Sequence, residues 1–319
     1  MTVPATTPAV SLAAIQDAAR ALVGVAVRTP MVAVAGRPLF LKCEHLQPIG
    51  AFKIRGAFTA IAGLAPADRA RGVVTSSSGN HGQAVAAVAH RFGIPSVIVM
   101  PESAPGIKVA GVRSHAGEVV FAGKTRSPEQ QTVAEGFVTS RGMTMIPPFD
   151  HPGVITGQGT CGLEIVEQAP EVRTVLVPVG GGGLLSGVTM AISALRPDIE
   201  IIGVEPAGAP KLSAALAAEG PVLLEQTASV ADGLLTRSIG VLPWSLIHGR
   251  VRRAVQVTEA EIGAAVRWLY HHQGLRVEPS GAVTVAAVLA GKIESDGPIV
   301  AVLSGGNVDP DLFQRLIDS

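Results

Sequence analysis

Aromatic side chains make up only 3% of the 319 residues, and Lys plus Arg balance Asp plus Glu at 25 each. A chain with few stacking platforms and no excess of positive charge lacks the usual means of holding nucleic acid or an anionic bilayer, so neither is expected as a partner. The basic residues stand singly, Arg252-Arg253 being the nearest to a cluster. The two cysteines, Cys43 and Cys161, are far apart and lack metal-ligand spacing, which excludes a disulfide framework or a zinc site; both read as small buried hydrophobes. No apolar run is long enough to cross a bilayer, and Met1–Val10 has neither the basic start nor the apolar segment of a signal peptide. A cytoplasmic protein is the expectation.

What the chain has in quantity is small and β-branched apolar residues, 37 glycines and a length suited to one large or two interlocked units. Short β-branched runs are followed by a Gly or Ser turn and then an Ala-rich helical stretch. Gly72–Ser76 leads into Gly82–His90, with Ser96–Met100 following, and Thr174–Val179 precedes Leu184–Leu195. Ile201–Glu205 precedes Lys211–Ala218, and Ile299–Ser304 precedes Pro310–Ile317. This cadence predicts an α/β fold with buried parallel strands. Ser11 is placed to cap Leu12–Leu22, and Thr258 with Glu261 forms a capping box for a helix that Gly274 can end.

Four segments could carry chemistry. Lys53 follows a Pro/Gly turn among apolar neighbours, where desolvation lowers the pKa of an amine and suits it to imine formation; an exposed first-turn lysine is the plainer alternative. Thr75–Gln83 runs from a strand end into a helix and is dense in donors (Ser76, Ser77, Ser78, Asn80, His81), a setting for a substrate carboxylate. Ordinary capping by Ser78 or Asn80, and a structural hydrogen bond from His81, are the alternatives there. Gly180, Gly181, Gly182 and Gly183 stand between an apolar strand and a helix, so their amides can close around a phosphate; neither the Walker spacing nor the dinucleotide fingerprint is present. Ser304 ends the last strand. Asp150 and His151 read as turn residues, and Glu278-Pro279-Ser280 as a helix start with Ser280 as cap.

Together these segments resemble the fold-type II pyridoxal-phosphate family of threonine and serine dehydratases and serine racemase. The resemblance runs from about Arg28 to Asp309 and rests on motifs in the family's order. They are Lys42-x-Glu44-x-x-Gln47-x-x-Gly50-Ala51-Phe52-Lys53-x-Arg55-Gly56-Ala57, Ser77–Gln83, Gly157–Thr160, the glycine run, and Ser304–Asp309. It implies two open, doubly wound, mostly parallel sheets. A large domain would comprise residues 1–66 and 147–319, with a smaller mobile domain of residues 67–146 inserted in it. It also implies that Lys53 holds the cofactor as a Schiff base, with Phe52 beside the ring and Asn80 on the ring oxygen. Gly180 to Gly183 and the Leu184 amide would hold the phosphate, and Ser304 would face the pyridine nitrogen. A neutral serine there favours elimination over transamination. Ser76, Ser77, Ser78, Asn80 and His81 would receive the substrate carboxylate, and Ser78 lies where the racemases place a second acid/base.

The activity so implied is removal of ammonia from an L-β-hydroxy amino acid such as threonine or serine. Serine racemisation and a hydroxyaspartate or phenylserine dehydratase are the alternatives, ahead of a β-replacement enzyme or a silent amino-acid-binding protein. The substrate's β-substituent would meet loops that include Asp150–Val154 and Ala231–Ser238. A homodimer or tetramer is the family's habit. The family's metal site would use Glu205 and the Ala209 carbonyl, but Lys211 stands where its second carboxylate belongs, so an ammonium paired with Glu205 is expected in place of a divalent ion. The end at Ser319 leaves no room for an appended regulatory domain, so feedback inhibition is not expected.

Overall fold

The computed structural model describes residues 10–77, 79–125 and 127–318. Ten strands form two sheets: β1 (Met31–Ala33), β2 (Leu39–Lys42), β3 (Val73–Ser76), β4 (Ser96–Met100), β5 (Glu118–Phe121), β6 (Thr144–Met145), β7 (Thr174–Pro178), β8 (Glu200–Pro206), β9 (Arg253–Val257) and β10 (Ile299–Val302). The larger sheet has the order β1-β2-β10-β7-β8-β9 and the smaller β5-β4-β3-β6. Only β1 with β2 is antiparallel; every other pairing between these strands is parallel. The larger sheet is therefore built from both ends of the chain, and the smaller from the stretch between Val73 and Met145.

Successive side chains of a strand point to opposite faces, and both faces here are apolar. Val175 and Val177 of β7 pack with Leu184, Leu185 and Val188 on one side, whereas Leu176 packs with Val266, Leu269, Val283 and Ala286 on the other. The smaller sheet does the same, Ile98 and Met100 facing one helical layer and Val97 and Val99 the other. The core on the first of these faces also takes in Ile54, Ala57, Phe58 and Ile61, from the helix Lys53–Ala62. The helix that begins at Lys53 is thus packed into the core of the smaller sheet.

The expected helix caps are present. Ser11 Oγ accepts from the Ala14 amide, Thr258 and Glu261 form the capping box, and Gly274 adopts the left-handed conformation that ends the helix. Two caps differ from expectation. The helix Asn80–Phe92 starts two residues early with Gly79 as its N-cap, and it is Ser77 Oγ that accepts from the Gly79 and Gly82 amides (3.3 and 3.2 Å). Glu278 and not Ser280 occupies the N-cap position of Pro279–Leu289, without a capping bond from its side chain; Ser280 lies within the first turn, and its Oγ accepts from the Gly233 amide at 2.9 Å. The Gly157–Thr160 motif is a packing device: a Cβ on Gly157 would lie 2.4 Å from the Arg55 carbonyl oxygen, so the helix Pro152–Gln168 can rest on the Lys53 helix only without a side chain there.

Candidate active site

In parallel α/β sheets the carboxyl ends of strands present ligands, and here the ends of β3, β7 and β10 converge on one cavity of about 230 Å³. Phe52, Lys53, Ser76, Ser77, Asn80, His81, Gly180, Gly181, Gly182, Gly183, Leu184 and Ser304 all line it. Residues separated by 251 positions, from Lys53 to Ser304, are thereby brought together. Ser78 lies outside the described residues.

Lys53 is the chemically distinctive group. Burial lowers its pKa to about 8. Its Nζ donates to the Pro148 carbonyl at 2.6 Å and stands 5.1 Å from the centre of the Phe52 ring, and no carboxylate among the described residues is bonded to it. Facing it, the chain crosses from β7 into the helix Gly183–Leu195 through the glycine run, where Gly182 has φ +92°. A Cβ on Gly181 would come within 2.3 Å of the Phe149 ring, so the loop closes only because it has no side chain there. The first amides of a helix have no partner within it, and such a tight loop at a helix N-terminus offers them to an anion. A small phosphorylated aldehyde fits this arrangement: an amine poised to lose its proton on one side, and an anion cradle on the other.

The helix Lys53–Ala62 is held from beneath by charges of the Lys53 motif together with Glu164 of the helix Pro152–Gln168. Glu44, fully buried, accepts from Arg55 Nε and Nη2 (2.8 and 2.7 Å) and from Thr29 Oγ1 (2.6 Å). Arg55 Nη1 donates to Glu164 (2.7 Å), which also pairs with the buried Lys42 (2.5 Å). Burial alone would raise the Glu44 pKa, but Arg55, with help from Lys42, brings it below the ordinary value. Two cations thus balance two anions, and the polar residues of the motif serve as scaffold.

His81 is a structural hydrogen-bonder as well as a wall of the cavity. Burial, with the Lys53 charge adding to it, lowers its pKa to about 3, so the neutral ring donates from Nε2 to the Ile146 carbonyl (2.9 Å). Among the loops expected beside a β-substituent, Gly233, Leu234 and Thr236 reach the cavity, whereas Asp150–Val154 does not contribute and Pro148 and Phe149 take its place. Asp150 instead accepts from the Val241 and Leu242 amides (2.9 and 3.0 Å), and His151 caps Pro152–Gln168.

Several polar residues of the site carry no role there in the sequence reading, in which Glu278 is only part of a helix start. Glu278 lines the cavity with its carboxyl buried, Lys108 enters it and pairs with Asp232, and Asn307 bonds Asn80. For Glu278 a signal exists: an acidic residue opening a helix of otherwise apolar and small residues, Pro279–Leu289, has no polar face to occupy.

At the family's metal position, Lys211 Nζ donates to the Ala209 and Leu234 carbonyls (2.8 and 2.9 Å) and lies 3.9 Å from Glu205, both side chains being fully buried. Glu205 is further engaged by the Leu212 and Ser213 amides. Burial lowers the Lys211 pKa to about 8, which leaves an ammonium at neutral pH. These residues do not fit a divalent ion. Among the described residues no group of three or more His, Cys, Asp or Glu is placed to hold one.

Residues 25–305 match the model of the family described as pyridoxal-phosphate dependent enzyme. The chain belongs to that family. The pyridoxal-phosphate enzymes it is similar to include an L-threonine ammonia-lyase from Thermotoga maritima, 40% identical over 97% of this chain and 78% of that protein. A serine racemase from Arabidopsis thaliana is 40% identical over 88% of each. Among solved structures, maize serine racemase superposes with a TM-score of 0.92 at 36% identity, covering 98% of both chains. The two sheets are accordingly those of the fold-type II branch, as the motifs implied. Among the described residues no helix is long and apolar enough to cross a membrane.

Proposed function

We propose that this chain is an ammonia-lyase that binds pyridoxal phosphate on Lys53 and converts an L-β-hydroxy amino acid, threonine or serine in the first instance, to a 2-oxo acid and ammonia. The observation that carries the reading is the Lys53 amine, low in pKa through burial, set opposite a glycine cradle in a cavity whose other wall includes Ser76, Ser77, Gly79 and Asn80. Relatives named L-threonine ammonia-lyase support the choice of reaction.

When bound, pyridoxal phosphate supplies the electron sink for the bonds broken at the substrate's α and β carbons. The chain supplies placement and proton control. Gly180 to Gly183 and Leu184 would hold the phosphate through backbone amides, and Phe52 would cover the ring. Ser304 would meet the ring nitrogen with a hydroxyl, which leaves that nitrogen uncharged. Lys53, once released from the cofactor, would take the α-proton as a general base, for which a pKa near neutrality is suited. The substrate carboxylate would be received by the first turn of Asn80–Phe92 with Ser76, Ser77, Ser78 and His81 around it. Since Ser77 Oγ already accepts from two amides, its hydroxyl proton is free to be donated. Residues 67–146 are read as a small domain closing over the substrate and excluding water, which their separate sheet supports. The protein is further read as a cytoplasmic homo-oligomer.

Racemisation of serine is the second reading, favoured by the serine racemase relative and by Ser78, which would deliver a proton to the face opposite Lys53. Neither reading requires a divalent ion, since Lys211 fills that place.

The test is product analysis by NMR with chiral resolution, using L-threonine, L-serine, L-threo-3-hydroxyaspartate and L-phenylserine with the cofactor-loaded protein and its Lys53→Ala variant. Oxo acid formed by the parent alone supports the lyase and names its substrate. D-enantiomer without oxo acid promotes the racemase, and no turnover of any of the four refutes both. A chelator is expected to leave the rate unchanged; a loss restored by magnesium would overturn the reading of Lys211.

A further inference from the structure

The two ends of an amide side chain are alike in shape, so whether Asn80 offers its oxygen or its nitrogen to a ligand depends on its neighbours. One backbone atom settles the matter here. Asn307 is bonded to the Ile49 carbonyl at 2.8 Å, and a carbonyl only accepts, so the Asn307 amino group must point there. The same amino group lies 2.9 Å from Asn80, which therefore presents Oδ1 to it. The Asn80 amino group is then left facing Glu278 Oε1, at 2.7 Å, and that oxygen accepts whether or not the carboxyl is protonated. An amino group has two hydrogens, and Glu278 takes one.

Glu278 is built into this position. Glu278 is 2% exposed, its Oε2 has no partner among the described residues, and a Cβ on Gly305 would lie 2.3 Å from Oε1 and 2.9 Å from Asn80 Nδ2, so that only glycine lets the two side chains meet. Both residues line the cavity with Ser304, next to Gly305 in the chain. A buried carboxyl with one oxygen left unpaired among the described residues is costly to keep at a binding site, and the hydrogen bond its other oxygen makes governs how Asn80 is turned.

We propose that Glu278 and Asn307 are positioning residues that lock the Asn80 amide with an N–H toward the cavity, making that point of the site a donor for an electron-rich oxygen, the ring oxygen of pyridoxal phosphate. The inference rests on the cofactor reading above. A donor there favours the ionised form of the ring oxygen, whereas the reversed amide would set a carbonyl against it. Either change at the lock is therefore read in the absorption spectrum of the loaded protein.

Glu278→Met removes the acceptor, Glu278→Gln keeps one in the same place, and Asn307→Asp replaces the amino group by an acceptor of nearly the same shape. Each is loaded with pyridoxal phosphate, and its spectrum and cofactor affinity are compared with the parent's. For Glu278→Met and Asn307→Asp the long-wavelength band of the ionised ring oxygen should fall against the short-wavelength band by about tenfold, and the cofactor should bind about tenfold more weakly, the scale of one hydrogen bond to a charged group. Glu278→Gln should restore both to within about twofold of the parent on the same scale. Folded Glu278→Met with the parent spectrum overturns the proposal, as does a Gln variant as altered as the Met variant. Should Asn307→Asp not fold, the Met and Gln pair decides. Borohydride reduction of the loaded parent, followed by peptide mass analysis, separates the two ideas: no adduct on Lys53 sinks the cofactor reading itself, and this inference with it.

Discussion

A buried amine that must lose its proton before it can attack a carbonyl sets its own pH dependence. Lys53 has a pKa of about 8, lowered by burial from the ordinary lysine range, so its reactive neutral form grows tenfold per pH unit below that value and saturates above it. The rate at which the cofactor-free protein takes up pyridoxal phosphate should follow, rising through pH 6 and 7 and levelling above about 8. Stopped-flow absorbance would show it, and a flat profile would mean that Lys53 is not the acceptor. The same depressed pKa acts on stability with the opposite sign from a paired lysine. The folded state resists protonation that the unfolded chain accepts, so this group costs stability below pH 8 and the cost fades as pH rises toward the ordinary lysine value. At this scale the sequence was legible wherever a residue acts alone. Lys53 stood out as a lysine among apolar neighbours, and the glycine run as backbone without side chains. Glu278 and Asn307 were not legible, because each acts through Asn80, which lies 198 residues from one and 227 from the other.

The helix Lys53–Ala62 owes its position to two different supports, a charged network below and an apolar core beside it. Replacing Glu44 by Gln leaves Arg55 and Lys42 without a full counter-charge in a site closed to water, a change that typically costs about 3–5 kcal/mol. Denaturant unfolding at neutral pH should show a loss of that order. The Glu44 pKa is held below its ordinary value, so its contribution is present above the carboxylate range and is lost as pH falls through that lowered value. The gap between the variant and the parent should accordingly narrow in acid. A loss below about 1 kcal/mol at neutral pH would place the pair among the weak surface bridges instead. The strand and helix spans that were read agree to within a residue or two, since continuous β-branched runs and capping residues are local signals, whereas short strands such as Thr144–Met145 went unread. The start of Asn80–Phe92 was misplaced because Ser77 caps it from outside the helix, a turn that depends on the backbone path and not on residue type. The Lys42–Arg55 motif was legible as a pattern, but nothing in its spacing tells scaffold from chemistry.

Across the whole molecule, the smaller sheet is tied to the larger one at the cavity by Asn80 with Glu278 and Asn307, and by Lys108 with Asp232. If residues 67–146 close over the substrate, these ties tighten on binding. Hydrogen exchange of the loaded protein should then slow at 79–83 and 106–113 when a non-reacting amino acid is added, with little change in β7 and β10. Equal protection in both sheets would argue against a closing unit. Buried parallel strands followed from the strand cadence, but the two-sheet plan and its bounds rested on the family resemblance, because the chain passes between the sheets without a linker of distinct composition.

The packing of the Lys53 helix bears on how such proteins can be recombined. Ile54, Ala57, Phe58 and Ile61 share a core with Ala84, Val85, Val88 and Ala89, so a chimaera that borrows residues 67–146 from a relative cuts through a joint where both sides were fitted together. A crossover placed at the Pro48–Gly50 turn keeps that core joint whole but parts Arg55 from Glu44, the charged support of the same helix. The Lys53 helix is thus fitted to both units at once, so a module bounded by the smaller sheet alone does not carry the buried amine with all of its supports.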